Sequence, residues 1–274
     1  MNERRRAAAA RQRSTAVLVS VASTVVVFGL VAWWVSRSTY WPAVQRQFFS
    51  WEDIKESFPD VRRGFWLNMR IWLVAQVFIV VFALVLAVMR ALNGPLAAPL
   101  RLAAVVYIDA LRGVPALLLI LLFGFGVPAL QLRGLPTGAL FWGSVAMIAG
   151  YAAYTAEVFR SGMDAVHDSQ RAAAKALGLN QWQTLRHAVL PQAVRNVLPA
   201  LLNGSVSLQK DVALLSVIGV RDAVREAQIY TARTFNYSSL IGAAVLFLLA
   251  SVPLARFTDW FARRDRERRL QAML

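Results

Sequence analysis

Residues 168–193, DSQRAAAKALGLNQWQTLRHAVLPQA, form a polar, alanine-rich stretch between long apolar segments, and we call this stretch the island. Gly178 is suited to the left-handed conformation that ends a helix. Asn180, with Gln183 three residues later, predicts a helix N-cap of the capping-box type. Pro191 is expected to end the second helix. The island is therefore predicted to be two short helices joined by a glycine turn.

One face of the first island helix carries only small or apolar side chains. Such a face allows the backbone of a partner protein to approach closely. An amphipathic hairpin that packs on a bilayer surface is the alternative that the pattern leaves open. The residues that share the face by helical spacing are Ala172, Ala173, Ala176 and Leu177.

Composition points to a membrane protein. The 274 residues are 58% hydrophobic and 16% charged, whereas soluble domains carry about a quarter charged residues. The chain has no cysteine, which excludes disulfides, thiolate nucleophiles and cysteine-bound metals. Its net charge is +15, and arginines at the ends of apolar runs favour membrane topology over nucleic-acid binding. Two histidines without a nearby ligand set do not predict a metal site.

The apolar runs predict an all-α integral membrane protein with about six transmembrane helices. Arginine-rich segments at both ends predict that both termini are cytoplasmic. The first run is longer than the apolar core of a signal peptide, so we expect a retained span. The predicted spans are 16–36, 65–89, one within 102–130, 140–158, 194–220 and 240–261.

Several separated motifs resemble those of one transporter family. The island is similar to the EAA coupling motif of ATP-binding-cassette (ABC) importer permeases. YTAEVFRSGMDAV (154–166), LPQAVRNVLPALLN (190–203) and KDVALLSVIGV (210–220) resemble the polar amino-acid permeases of the histidine, glutamine and glutamate type. LRGVPALLLILLFGFGVP (111–128) resembles their arginine–glycine–threonine–proline segment. The resemblance covers roughly residues 64–260.

The chain departs from the family pattern at four places. Arg171 stands where the motif has glutamate, and Ser169 where it has glycine. Val114 replaces the threonine after arginine–glycine, and Val212-Ala213 replaces the threonine–serine after lysine–aspartate. The small-residue face and the glycine turn of the island are unaffected.

The resemblance implies the type I ABC importer transmembrane-domain fold for the core, and the apolar and charged runs outside that core complete the predicted domain organisation. A basic cytoplasmic tail (1–15) precedes a first transmembrane helix with an external segment (16–64), in which Pro42 and Pro59 are expected to break the chain. The core permease domain (65–261) would contain a cytoplasmic coupling loop at about 160–192, and a second basic tail would follow (262–274).

The implied function is ATP-driven import of a polar L-amino acid, such as glutamate, glutamine, histidine or arginine, by alternating access. The chain has no G-x-x-x-x-G-K-[ST] phosphate loop. It is therefore expected to be no enzyme and to bind no cofactor itself, with ATP and Mg on a separate ATPase. The residues that would contact that ATPase are Ala172, Ala173, Ala176, Leu177, Gly178, Leu179, Leu190 and Pro191.

The resemblance also implies partners and a location. They are a cytoplasmic ABC ATPase dimer, a second permease chain that is identical or homologous, an extracytoplasmic solute-binding protein and the lipid bilayer, with no nucleic acid. The location would be the cytoplasmic (inner) membrane of a bacterium, crossed several times.

Polar residues inside predicted spans are candidates for a substrate pathway. Glu157, Arg160 and Asp164 share a helix face, which fits either a pathway or a structural ion-pair ladder. Arg112 follows Asp109 at a helical spacing, which fits either a substrate role or a salt bridge at a helix end. Gly113 and Pro115 follow directly, so a helix break is expected there. Span five is too polar to face lipid. Its candidates are Asn203, Lys210 and Asp211, although Lys210 and Asp211 could instead neutralise each other.

Two other functions remain open from sequence, and a third is disfavoured. The chain could be a permease for another small solute, or a self-contained secondary transporter that needs neither ATP nor partners. A membrane-embedded enzyme would need convergent catalytic groups such as a serine–histidine or paired-aspartate set, which the spans lack.

Overall fold

A computed structural model describes the backbone of residues 2–92 and 94–271, and the side chains of residues 17–92, 94–265 and 267. The described residues form helices and turns and contain no strand. Within these described residues, four helices are long and apolar enough to cross a membrane, and counting a bent helix pair as one span gives up to five. The all-α membrane fold expected from sequence is confirmed.

Most of the helices form one bundle around a long central helix, α3. In chain order the helices are α1 (Asn2–Ser36), α2 (Trp41–Phe48), α3 (Trp51–Ala91), α4 (Ala98–Gly113), α5 (Ala116–Leu121), α6 (Val127–Ala129), α7 (Ala139–Asp164), α8 (Asp168–Ala176), α9 (Gln181–Thr184), α10 (Leu190–Asp211), α11 (Ala223–Thr234) and α12 (Ser238–Gln271). A π-helix (Leu122–Gly126) joins α5 to α6, a second π-helix (Leu185–Val189) joins α9 to α10, and a 3-10 helix (Val212–Ile218) follows α10.

The central helix α3 begins before the predicted second span. Its 41 residues would measure about 60 Å, roughly twice the bilayer's hydrocarbon thickness. The expected break at Pro59 is wrong, because Pro59 lies inside α3. Pro59 is exposed, so the carbonyl that loses its helical partner can be hydrated. Pro42 instead stands in the first turn of α2, where proline is tolerated.

The third span is broken where the sequence predicted it. α4 ends at Gly113, α5 begins at Ala116, and the helices on the two sides of the break are bent by 102°. Pro115 has no amide hydrogen, so α4 cannot continue through it without losing a hydrogen bond. The residues of this break contribute to the cavity described below.

The fifth predicted span is α10 and the 3-10 helix after it. It is not among the helices that could cross a membrane by length and composition alone. The expected helix stop at Pro191 is wrong, because Pro191 occupies the first turn of α10. The π-helix Leu185–Val189 widens the preceding turn, and the missing amide hydrogen of proline is accommodated in that irregular region.

Two glycines allow helices to approach closely in this bundle. A Cβ at Gly162 of α7 would lie 2.2 Å from Val197 Cγ1 of α10. A Cβ at Gly64 of α3 would lie 2.4 Å from the backbone carbon of Asp222, directly before α11. Glycine is therefore needed at both crossings, and α11 is held against the early part of α3.

A buried carboxylate fixes the start of α11. Asp222 accepts hydrogen bonds from the Arg225 amide (2.8 Å) and from Asn68 Nδ2 (3.0 Å), and Asn68 is itself fully buried. Burial raises the pKa of Asp222, and these hydrogen bonds oppose that shift. This junction lies toward the Trp51 end of α3, whereas the island packs near its Ala91 end. We call the end of the bundle where the island packs the island end, and the end that holds the Asp222 junction the opposite end.

The first helix stands apart from the bundle. No side chain between residues 17 and 36 is buried, and this stretch is long and apolar enough to be a span.

Candidate functional site

The first helix, the glycine turn and the N-cap of the second helix of the island have the local structure that the sequence predicts. α8 ends before Gly178, whose φ of +78° lies in the left-handed region. α9 begins with the predicted capping box: Asn180 Oδ1 accepts from the Gln183 amide at 2.9 Å, and Gln183 Oε1 accepts from the Asn180 amide at 2.9 Å. The turn and cap together set the angle between the two helices.

The island turns a small-residue face outward and an apolar face inward. Ala174, Leu185 and Val189 are buried, and the last two belong to the core cluster shared by α3, α4, α7 and α10. Leu177 is 81% exposed. Of the other residues predicted to contact an ATPase, Ala172, Ala173, Ala176, Gly178 and Pro191 are exposed, while Leu179 and Leu190 are partly buried.

Arg171, at the motif's glutamate position, attaches the island to α7. Its Nη2 donates a hydrogen bond of 2.6 Å to the carbonyl oxygen of Met163, in the last turn of α7. A cation at that position also interacts favourably with the C-terminal end of the helix dipole. Arg171 lies 4.0 Å from Asp168 of its own helix. Its side chain therefore points inward and serves as a structural link.

Glu157 joins three helices through arginines. Its Oε2 accepts from Arg90 of α3 at 2.7 Å and lies 3.8 Å from Arg112 of α4. Its Oε1 accepts from Arg160 Nε at 2.7 Å, and Arg160 also pairs with Asp164. The helical spacing predicted the Glu157–Arg160–Asp164 ladder but not the participation of Arg90. The signal for Arg90 in the sequence was an arginine in the last turn of an otherwise apolar helix.

A cavity of about 320 Å³ lies beside the break in the third span. This volume is at the lower end of the range for small-molecule sites. Its walls are mainly apolar. Val114, at the threonine position of the family motif, lines it. The lining residues are Leu111, Val114, Ala116, Leu119, Ile120, Ala146, Met147, Gly150, Tyr151, Tyr154, Asp211 and Leu214.

The carboxylate that lines the cavity is Asp211. It accepts a short hydrogen bond from the Tyr151 hydroxyl of α7. No ion pair between Asp211 and Lys210 occurs among the described residues, where the Asp211 carboxylate has the Tyr151 hydroxyl as its partner instead. Val212, directly after Asp211, is fully buried in the neighbouring core cluster. The site therefore combines a mainly apolar interior with one carboxylate and the two tyrosine side chains that line it.

Tyr154 separates this cavity from an open groove on the Glu157 side. Its hydroxyl donates to the Arg112 carbonyl at 3.0 Å, and the Arg112 guanidinium lies 5.7 Å from its ring centroid. The groove, of about 520 Å³, is lined by Arg112, Tyr154, Glu157 and residues of α10 that include Asn196. Of the predicted pathway residues, Asp211 lines the cavity, and Glu157 and Arg112 line the groove.

The other predicted pathway residues lie elsewhere. Asn203 and Lys210 are exposed on α10 and line neither space, and Arg160 faces the island. α10 nevertheless carries an exposed polar and small face at spacings of three and four residues: Ala200, Asn203, Gly204, Ser207 and Lys210. Gln209 lies on a different face of α10 and is buried, and its Oε1 accepts a hydrogen bond of 2.6 Å from the Ser251 hydroxyl of α12. The prediction that this span does not face lipid agrees with both observations.

The apolar helical bundle, the cavity with its single carboxylate and the exposed face of the island fit a membrane transport protein. The chain belongs to the family of binding-protein-dependent transport system inner membrane components, which matches residues 94–267. The assignment to the ABC importer permeases made from sequence is confirmed, and α1 lies outside the matched range.

Two curated relatives illustrate the family. The putative glutamine transport system permease protein of Rickettsia conorii is 32% identical over 188 residues, covering 68% of this chain and 84% of the relative. The arginine transport system permease protein of Bacillus subtilis is 30% identical over 190 residues, covering 69% of this chain and 84% of the relative.

Solved structures share the fold. A chain from a crystal structure of an amino acid ABC transporter with histidines is 30% identical, with a TM-score of 0.68, covering 76% of this chain and 95% of that chain. A chain of the MetNI methionine ABC transporter in an inward-facing conformation is 18% identical, with a TM-score of 0.63, covering 75% of this chain and 95% of that chain. The predicted type I importer transmembrane fold is thereby confirmed.

Proposed function

We propose that this permease imports a polar L-amino acid and that Asp211 and Tyr151 contact the amino acid during its passage. The cavity beside the third-span break carries this proposal, because it offers one carboxylate in otherwise apolar walls. An α-ammonium or a cationic side chain is the group that a carboxylate in such surroundings binds most strongly. The relatives named for glutamine and arginine transport support the same substrate class.

The path continues from the cavity past Tyr154 into the groove lined by Arg112 and Glu157. The exposed polar face of α10 cannot lie against lipid without a cost. We assign it to contact with a second permease chain, identical or homologous, across a pathway enclosed between the two chains. Asn203 and Lys210 would then line that shared pathway.

In this proposal, the force that moves the helices of the permease comes from a partner protein. A cytoplasmic ABC ATPase dimer, which holds ATP and Mg, receives the outward face of the island in a surface cleft. Closure of that dimer displaces the island, and α7 moves with it because Arg171 joins the island to Met163. The displacement alternates inward-facing and outward-facing states. An extracytoplasmic solute-binding protein delivers the amino acid at the opposite end.

This arrangement places the island end, both termini and both basic tails in the cytoplasm of a bacterium. The protruding start of α3 and helix α11 then lie outside the membrane. Import of another small solute would use the same machinery with a different binding protein.

The substrate proposal is tested by ATP-driven uptake in vesicles that contain the permease, its ATPase and its solute-binding protein. Labelled glutamate, glutamine, histidine and arginine are the probes. We expect uptake of at least one of them to depend on both partners. Uptake of none of them alongside ATP-driven uptake of another solute would contradict the amino-acid assignment, and uptake without the ATPase would contradict ATP-driven import.

Asp211→Asn keeps the side-chain size and removes the negative charge. We expect the KM for uptake to rise by about ten- to a hundredfold, since a hydrogen bond to a charged group contributes about 1.5–3 kcal/mol. Asp109→Asn, which removes an exposed carboxylate from α4, is the matched control and should leave KM unchanged. An unchanged KM in Asp211→Asn would remove Asp211 from the pathway.

A further inference from the structure

A second cavity, with polar walls, lies behind the island and is separate from the cavity beside the third-span break. It is an open cavity of about 600 Å³ between the Ala91 end of α3, the Asp164 end of α7 and the inner side of the island. The pathway proposed above does not pass through it. Its charged and hydroxyl-bearing lining residues are Arg90, Arg160, Asp164, Arg171, Lys175 and Thr184.

Positive charge predominates among the side chains that line this cavity. Four cations face one carboxylate, Asp164. Arg90 and Arg160 also share Glu157, while Lys175 is exposed and has no ion pair within 4 Å among the described residues. A glutamate at position 171, as in the motif, would leave three cations against two carboxylates. Arg171 therefore makes the cavity of this chain distinctly basic.

A buried hydroxyl without a partner also lines the cavity. Thr184 is only 6% exposed, and its Oγ1 has no hydrogen-bond partner in the described structure. A buried hydroxyl is normally satisfied. An oxyanion in the cavity would provide an acceptor for it and counter-charge for the arginines and Lys175.

The position of the cavity identifies the kind of anion. It lies where two candidate spans, α3 and α7, end, and the ends of transmembrane helices lie near the level of the lipid headgroups. Basic pockets between transmembrane helices at this level bind lipid headgroups, and the planar fork of arginine matches phosphate oxygens. We propose that this cavity binds the phosphate of an anionic phospholipid and thereby attaches the island to the bilayer surface.

The proposal is tested by native mass spectrometry of the full chain in detergent, with phosphatidylglycerol or phosphatidylcholine added. We expect one phosphatidylglycerol to be retained about tenfold more strongly than phosphatidylcholine. The double variant Arg171→Gln/Lys175→Gln should lose that preference. Arg186→Gln removes an exposed arginine of the same island that does not line the cavity, and it should keep the preference.

Thr184→Val is a second, milder variant, because valine has nearly the same shape as threonine. It keeps the proposal testable if the double variant does not fold. We expect it to reduce phosphatidylglycerol retention by about threefold. Equal retention by the wild type and the folded double variant would overturn the proposal. Saturation by millimolar inorganic phosphate, without a preference for phosphatidylglycerol, would assign the site to free phosphate and overturn the lipid assignment. Neither measurement requires the ATPase, so a failed lipid test leaves the proposed function separately testable.

Discussion

Gly178→Val should lower ATP-driven uptake by about tenfold while ATP hydrolysis by the assembled complex continues. Gly178 has a φ of +78°, and a left-handed backbone costs an ordinary L-residue roughly 1–2 kcal/mol, with β-branched residues at the high end. A penalty of about 1.4 kcal/mol corresponds to a tenfold change in population. The turn between α8 and α9 would then be populated about tenfold less relative to its alternatives, and the island would transmit movement correspondingly less often.

Gly178→Asn is the matched control for this prediction. A Cβ at position 178 meets no atom within 4 Å, so neither variant creates a clash inside the chain. Asparagine tolerates the left-handed region far better than valine, and we expect it to keep most of the uptake. Uptake and hydrolysis measured in the same vesicles give the coupling ratio. Normal coupling in Gly178→Val would refute the role of the turn, and equal damage in both variants would indicate a steric block at the partner surface instead.

Glu157→Gln should reduce uptake by at least tenfold without separating the permease from its partners. The substitution keeps the side-chain shape but leaves Arg90, Arg112 and Arg160 facing one another without their shared carboxylate. Breaking a buried ion pair costs about 3–5 kcal/mol, and an exposed pair contributes at most about 1 kcal/mol. Glu157 is 21% exposed, so we expect an intermediate effect of about 2 kcal/mol.

The control for this variant is Asp164→Asn. Asp164 pairs with Arg160 but is 61% exposed, and we expect its loss to change uptake by no more than about threefold. Initial uptake rates and co-purification of the partner subunits are the measurements. Wild-type kinetics in Glu157→Gln would show that the arginine cluster neither lines the pathway nor holds it in shape.

The turn and the cap of the island could be predicted in detail because their structure depends on neighbouring residues. A positive φ at Gly178 and reciprocal hydrogen bonds between Asn180 and Gln183 need no long-range contact. The break at residues 113–115 follows in the same way from the chemistry of Pro115. The family motifs then identified the class of protein, and the matched family range confirmed it.

The two prolines were misjudged because their surroundings are not local. Pro59 is tolerated where α3 is exposed, and Pro191 is accommodated after a π-helix whose residues Leu185 and Val189 pack into the core. Proline in isolation predicts a helix end in both cases. The helix continues instead, because Pro59 is exposed to solvent and the residues before Pro191 pack into the core.

The candidate site was predicted only in part because its pairs are distant in sequence. Arg90 and Glu157 are 67 residues apart, and Tyr151 and Asp211 are 60 apart. Helical spacing reveals partners three or four residues away, such as Arg160, but cannot pair different helices. For this reason Lys210 was considered as a partner of Asp211, whereas the bundle supplies Tyr151.

The central claim is that the outward face of the island is the docking surface for an ATPase, and single-cysteine labelling tests it most directly. The chain contains no cysteine, so Leu177→Cys places one thiol at a position that is 81% exposed on that face. Phe235→Cys, at a position 77% exposed beside α11 near the opposite end, is the control. We expect a maleimide reagent to label both variants in the permease alone, and only Leu177→Cys to be protected when the ATPase is bound. Equal labelling of Leu177→Cys with and without bound ATPase would contradict the account.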